Sequence, residues 1–237
     1  GSAPHINNFG LGQHGRYRTN VWDYAGVNSL KAERGEELAM HPTVKPVAMV
    51  ADAMLRRNPG ATILHNLICS KSVAEVIHEG GGTAVRTRVG HSFIKQVMAE
   101  TGAIFGGEHS GHYYFKDNYR ADSGIITAMI VLELMSESNV PLSELVKPYQ
   151  RYVASGEINT EVSNPAATVD ALAARVAEPG VDADRLDGLT VDHGTWWYNV
   201  RPSNTEPLLR LNVEAPTEAE CAQRVQEVLT IIEEVKL

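Results

Sequence analysis

Gly106-Gly107-Glu108-His109-Ser110-Gly111-His112, entered by Ala103-Ile104-Phe105 and left by Tyr113-Tyr114-Phe115, reads as strand, polar loop, strand. The flanking runs are short and apolar or aromatic, as strands are. The glycines let the backbone turn tightly and approach a ligand. Inside the loop a carboxylate and a hydroxyl stand together. Glu108 accepts hydrogen bonds and Ser110 donates or accepts, which suits a polyol. An isolated Glu-x-Ser would read as a solvated hairpin turn, but a second loop, residues 201–207, changes that weighting.

Outward from this hairpin the chain alternates strands and helices. Strands are predicted at 61–65, 83–86, 104–107 and 113–116. Helices are predicted at 70–79, capped by Ser70 and ended by Gly80-Gly81-Gly82, and at 91–101, where Phe93, Ile94, Val97 and Met98 fall at helical spacing. Apolar helices follow at 122–136 and 141–152. A helix over 44–55, with Thr43 as cap and Pro46 in its first turn, ends before Asn58-Pro59-Gly60. Its Val47, Val50, Ala51 and Met54 share one face, expected to lie on the sheet. Alternation of this kind indicates an α/β layer domain.

The last third has another rhythm: strands at 158–162, 189–191, 196–200 and 208–214, and helices at 168–177 and 217–235, the latter capped by Thr217. This is a small α+β domain with an antiparallel sheet. The division expected is an irregular leader over 1–43, an α/β domain over 44–153 and an α+β domain over 154–237.

Between two of those strands lies Arg201-Pro202-Ser203-Asn204-Thr205-Glu206-Pro207. A phosphate dianion needs several donors converging from one side. Arg201 offers a bidentate guanidinium, Ser203 and Thr205 offer hydroxyls, and Asn204 an amide. A turn between prolines can also point backbone N–H groups inward. Turn residues alone would explain a hairpin; four donor side chains within five residues favour phosphate binding.

Composition narrows the function classes. The 237 residues suffice for one large or two modest domains, and 43% hydrophobic residues suffice for real cores. A net charge of −8 argues against a general nucleic-acid binder. Cys69 and Cys221 stand far apart without a CxxC, which points to a reducing, cytoplasmic compartment and to neither a disulfide framework nor a zinc site. No apolar run approaches the roughly 20 residues of a membrane span.

The two loops together resemble those of the phosphohexomutases, the phosphomannomutase/phosphoglucomutase family. Residues 107–112 look like its sugar loop and 201–207 like its phosphate loop, and Val89-Gly90-His91-Ser92-Phe93-Ile94-Lys95 and Ala121-Asp122-Ser123-Gly124 also fit. The resemblance runs from about Leu55 to the C-terminus. It implies a three-layer α/β third domain and a TATA-binding-protein-like α+β fourth domain. It also implies that Glu108 and Ser110 hold sugar hydroxyls, that Arg201, Ser203, Asn204 and Thr205 hold the phosphate not being transferred, and that His91 and His112 assist near the sugar. Some members carry a lysine where this chain has Ile68; Lys71 could supply that charge.

The family's isomerase reaction, exchanging hexose 1-phosphate and 6-phosphate, needs a phosphoserine in a Ser-His-Asn-Pro-type loop and a magnesium loop of Asp-Gly-Asp type. Neither occurs in this sequence. The chain alone is therefore expected to be inactive, with no nucleophile and no metal or other cofactor of its own, and to bind mannose or glucose phosphates without nucleic-acid or membrane partners. Self-association could arise through the leader or through the surface the family's other domains would cover. Residues 1 to about 54, through 15–24 and 38–46, resemble instead a fragment of a DNA amino-methyltransferase, but no cofactor loop or (Asp/Asn/Ser)-Pro-Pro-(Tyr/Trp) motif follows. The whole reads as a truncated, chimeric chain. The alternatives are a recombined chain that folds without catalysing and, much less favoured, a methyltransferase fragment.

Overall fold

The computed structural model describes residues 47–177, 182–203 and 205–236. The expected leader, the Thr43 cap and Pro46 lie outside the described residues. Both sheets described here belong to one compact unit.

The first helix, α1 (Val47–Arg57), leads into β1 (Thr62–Asn66), α2 (Lys71–Glu79), β2 (Thr83–Thr87), α3 (His91–Thr101), β3 (Phe105–Gly107), β4 (Tyr113–Phe115), β5 (Ala121–Asp122) and α4 (Gly124–Ser138). The strands lie in the order β2-β1-β3-β4-β5. The first three are parallel, and β3, β4 and β5 form antiparallel pairs, so the quoted stretch is a hairpin with Phe105 opposite Phe115 and Gly107 opposite Tyr113.

Period-two alternation explains the layers. Ile63, Phe105, Tyr113 and Phe115 pack with Val50, Ala51, Val73, Ile77 and Ile130, from α1, α2 and α4. Leu64 and Tyr114, one residue out of phase, pack with Ile94 and Met98 of α3. Helices thus cover both faces of the sheet. The side chain of Met54 is only partly buried, while Ala48, Met49, Ala53 and Leu55 are buried, so α1 is enclosed on more of its circumference than one amphipathic stripe predicts.

Close packing, rather than turning, accounts for two of the loop glycines. A Cβ on Gly107 would stand 2.3 Å from Cγ1 of Val47, and one on Gly106 would stand 2.9 Å from Cδ1 of Ile94. Both sit in β3, where helices on either side press against the backbone. Only Gly111, at φ 85°, turns the chain as expected of it.

The second sheet uses β6 (Val153–Ala154), β7 (Ile158–Glu161), β8 (Asp182–Asp184), β9 (Leu189–Asp192), β10 (Trp197–Pro202) and β11 (Leu208–Ala215), in the order β6-β11-β10-β9-β8 with β7 also on β11. All its pairs are antiparallel. Leu209, Leu211 and Val213 of β11 pack against Val169 and Leu172 of a helix at Pro165–Arg175 and Val225, Val228 and Ile232 of one at Glu218–Val235. The opposite side of β10 and β11 carries Trp197, Asn199, Arg201, Arg210, Asn212 and Glu214, paired across the two strands.

Local chemistry explains where expected bounds moved. The helix expected at 141–152 stops early: α5 (Leu142–Val146) gives way to a 3₁₀ turn at Lys147–Tyr149, because Pro148 has no N–H and crowds the preceding turn. The helix expected at 168–177 is α6 (Pro165–Arg175). Asn164 caps it by accepting from the Ala167 N–H, and Pro165 fills its first position. The closing helix, α7 (Glu218–Val235), begins after its Thr217 cap as expected. Among the described residues no single helix is long and apolar enough to cross a membrane.

Candidate functional site

The uncovered face of the second sheet meets the first domain at α2. Glu214 is 2% exposed and accepts from the Ser70 hydroxyl at 2.5 Å, the Lys71 N–H at 2.9 Å and Trp197 Nε1–H at 2.7 Å. Burial raises its carboxyl above the ordinary range, and these three donors oppose that rise. Lys71 Nζ donates to both oxygens of Asp192, at 3.1 and 3.2 Å, and to the Gly194 carbonyl at 2.5 Å. Arg86 pairs with Asp184, and the Val89 N–H donates to Asp187 at 3.3 Å. These contacts fasten the two domains and fix how their loops face.

The sugar-type loop is a tight turn. The Glu108 N–H donates to the His112 carbonyl and the Gly111 N–H to the Glu108 carbonyl, both at 2.9 Å. Glu108 itself is 2% exposed. Its Oε1 accepts from the Gly90 N–H at 3.0 Å and its Oε2 from the Tyr114 hydroxyl at 2.9 Å. Gly90 holds a φ of 129° at the start of α3, a conformation that side chains resist, and so aims its N–H at the carboxylate. A carboxylate has about four lone-pair sites, so two remain for ligand hydroxyls. Ser110 stands exposed at the tip of the turn.

Because Glu108 only accepts, the Tyr114 hydroxyl donates to it and accepts in turn from His91 Nδ1–H, 2.5 Å away. Burial, and next the bond to Glu108, push the Tyr114 phenol far up, so it keeps its proton. His112 Nδ1–H donates to Asp122 Oδ2 at 2.7 Å, and Asp122 Oδ1 accepts from the Tyr113 N–H at 2.7 Å. Burial raises the Asp122 carboxyl, but His112 and that N–H outweigh it and hold it below the usual range. The His91 and His112 rings meet edge to face at 4.4 Å between centroids. With each Nδ1 committed, each Nε2 is left for a ligand. The expected pair of assisting histidines is therefore brought together and oriented from both sides.

In the phosphate-type loop, Arg201 (side chain 11% exposed) donates from Nη2 to Glu157 Oε2 at 3.0 Å. Burial lowers its guanidinium, Glu157 opposes this, and Arg210 adds to it. Ser203 Oγ accepts from the Thr205 N–H at 3.4 Å and Arg210 Nη2 at 3.3 Å, which leaves its own proton for an anion. Thr205 is exposed. Asn204 lies outside the described residues. In the sugar-type loop the His109 N–H donates to Asn66 Oδ1 at 3.3 Å. Desolvation by the surrounding protein lowers its imidazole, with Glu157 opposing the fall and Arg201 adding to it.

The Lys71 amine, expected to supply the charge missing at Ile68, is engaged by Asp192 and Gly194 at the domain contact. Tyr114, Glu157 and Arg210 went unnoticed in the sequence. A lone arginine among Leu208, Leu209 and Leu211 was the one available sign. Among the described residues no three His, Cys, Asp or Glu side chains converge to hold a metal.

Comparison with known proteins gives matches of one kind. Residues 45–152 match the family model for phosphoglucomutase/phosphomannomutase, alpha/beta/alpha domain III, and residues 157–231 that for the phosphoglucomutase/phosphomannomutase C-terminal domain. The first match starts earlier than the expected Leu55 and takes in α1. A phosphomannomutase of Methanocaldococcus jannaschii is 40% identical over 187 residues, covering 78% of this chain and 41% of that protein. The phosphomannomutase of Escherichia coli K12 is 37% identical over 190 residues, covering 79% and 42%. The crystal structure of a phosphoglucomutase/phosphomannomutase family protein from Burkholderia thailandensis superposes with a TM-score of 0.70 at 30% identity, covering 83% of this chain and 43% of that one. The chain thus spans about two fifths of the length of the curated relatives it matches.

Proposed function

This chain belongs, over residues 45–231, to the phosphoglucomutase/phosphomannomutase family, and from that premise we propose that it is the half of a phosphohexomutase that binds the sugar and the non-transferred phosphate. Glu108 and Ser110 receive sugar hydroxyls. His91 and His112 present their Nε2 atoms to the ligand. Arg201, Ser203 and Thr205, with Asn204, hold the phosphate. The observation that carries this reading is the donor and acceptor set of the two loops: the Gly90 N–H and the Tyr114 hydroxyl hold Glu108 and leave it acceptor capacity, while Arg201 and Arg210 share the single carboxylate of Glu157. A molecule with hydroxyls at one end and a dianion at the other suits such a pair of loops.

Neither a Ser-His-Asn-Pro-type nor an Asp-Gly-Asp-type loop occurs within these 237 residues, so the proposal for these residues by themselves is binding without turnover, because the family's transfer uses a phosphoserine as donor and a metal to neutralise developing charge. A cytoplasmic setting is part of the same reading, supported by two buried cysteines that remain free. So is self-association. The helix α4 is apolar on nearly every side yet exposes Ile125, Met129 and Leu132 along one stripe, whereas helices of that composition are normally enclosed.

The test is an NMR titration with mannose 6-phosphate and with inorganic phosphate. A dissociation constant on the order of millimolar, about 4 kcal/mol, is expected for the sugar phosphate. Arg201→Ala should abolish most binding of both ligands. Glu108→Ala should weaken the sugar phosphate and leave inorganic phosphate nearly intact. Mannose 6-phosphate binding by Arg201→Ala equal to wild type would refute the phosphate-loop assignment, and mutase turnover that survives repurification would refute the claim of inactivity.

A further inference from the structure

The phosphate-type loop contains more cationic donor capacity than it uses, and the following inference rests on the reading of that loop given above. In the β10–β11 pair Arg201 stands directly opposite Arg210. Like charges so placed destabilise a strand pair unless something neutralises them. Glu157 does so: its Oε2 lies 3.0 Å from Arg201 Nη2 and its Oε1 3.4 Å from Arg210 Nη1. One carboxylate against two guanidiniums leaves a net positive charge. Each guanidinium carries about five N–H donors. Beyond Glu157, the Ser203 hydroxyl, accepting from Arg210, is the further acceptor found among the described residues. The Nε–H groups of both arginines are buried without a partner. This cluster calls for more acceptor oxygens, and more negative charge, than Glu157 carries. A phosphate monoester brings three terminal oxygens and close to two charges.

We propose that Glu157 is the resident counter-anion of the phosphate site, and that phosphate binds by displacing it from Arg201 and from Arg210, which then acts as a second phosphate-binding guanidinium. Glu157 is suited to leave, because its side chain is about one third exposed and can turn into water. The exchange also sets specificity. A monoanion gains little by replacing a carboxylate that already neutralises one charge. A dianion neutralises both guanidiniums and offers acceptors to donors that Glu157 leaves unused. Arg210 and Glu157 are thus positioning and specificity groups added to the loop residues.

The experiment titrates the whole chain with inorganic phosphate in chloride-free buffer, following arginine Nε–H signals by NMR, in wild type, Glu157→Gln, Glu157→Asp, Arg210→Met and Arg201→Ala, with a thermal melt of each. Glu157→Gln should bind phosphate about three- to tenfold tighter, because it removes the competing charge of a partly exposed ion pair. Glu157→Asp, too short to span both arginines, should also bind tighter. Arg210→Met should bind several-fold more weakly. A gain in affinity is an effect that structural damage does not produce. If wild type binds and Arg201→Ala does not, yet neither Glu157 variant binds tighter, the counter-anion proposal is overturned and the phosphate-loop reading stands. If no chain binds, or Arg201→Ala binds as wild type does, both fall.

Discussion

Acidification from pH 7 to about pH 4.5 should cost this fold stability through the buried imidazole of His65. His65 lies in β1, 4% exposed, with Nδ1 3.2 Å from the Asn66 carbonyl, to which it donates. Burial pulls its pKa from 6.5 down to about 4; the backbone hydrogen bond resists, and Arg86 and His78 add to the fall. In the unfolded chain the same ring takes a proton as the pH drops through 6.5. Between 6.5 and about 4 the unfolded state therefore binds more protons, and stability falls with pH. The contribution is complete above 6.5 and lost as pH falls through about 4. At about 1.4 kcal/mol per pKa unit, the whole effect is roughly 3 kcal/mol, most of it between pH 7 and about 4.5. Urea unfolding followed by far-ultraviolet circular dichroism, at both pH values and on wild type and His65→Gln, isolates the term, because every other titrating group is common to the two chains. Wild type should lose about 2–3 kcal/mol more than the variant on acidification. A difference below about 0.5 kcal/mol would show that His65 is not held neutral. The consequence reaches the site, since His65 pairs with Gly107 in β3 and its neighbour Asn66 holds the His109 N–H.

Val50 is fully buried between α1 and the sheet, and Val50→Asp should cost about 3 kcal/mol or more by placing a charge among apolar side chains; an unchanged melting temperature would mean α1 is not docked there. Glu214→Gln keeps the shape but turns an NH₂ group toward one of three donors, so a loss of about 2 kcal/mol is expected in denaturant unfolding, together with a shifted Trp197 fluorescence. Equal stability would mean the domain contact does not depend on that carboxylate. Tyr114→Phe removes the hydroxyl that links Glu108 to His91, and should weaken mannose 6-phosphate about fivefold while leaving inorganic phosphate binding unchanged. Equal weakening of both ligands in an NMR titration would refute the separate roles of the two loops.

The elements legible in the sequence are those with local causes. Ser70 and Thr217 cap α2 and α7 by accepting N–H bonds from residues two or three positions on, a pattern contained within one turn. The β3–β4 hairpin announced itself by apolar runs around a polar loop, and the proposal for Glu108, Ser110, Arg201, Ser203 and Thr205 starts from donor and acceptor types clustered along the chain. The strands at Val153–Ala154, Ala121–Asp122 and Asp182–Asp184 leave no such sign, because they are as short as β3 and β4 and lack the paired apolar or aromatic runs that mark those two.

What only the tertiary structure decided are bonds between residues remote in sequence. Tyr114 reaches Glu108 and His91 because β4 runs beside β3 and α3 lies over both; its place in the strand predicts a core residue, which it also is. Lys71 carries the right charge for a phosphate, but α2 delivers its amine to Asp192. Gly106 and Gly107 read as turn residues, while their cause is the pressure of Ile94 and Val47 on the strand. Glu157 and Arg210 gain their meaning from a register that sets Arg201 opposite Arg210 and from a carboxylate supplied by the connection between β6 and β7. Capping and periodicity act over a few residues and leave a mark in the order of the sequence. Charge neutralisation and close packing act across space, between residues that the chain order keeps apart.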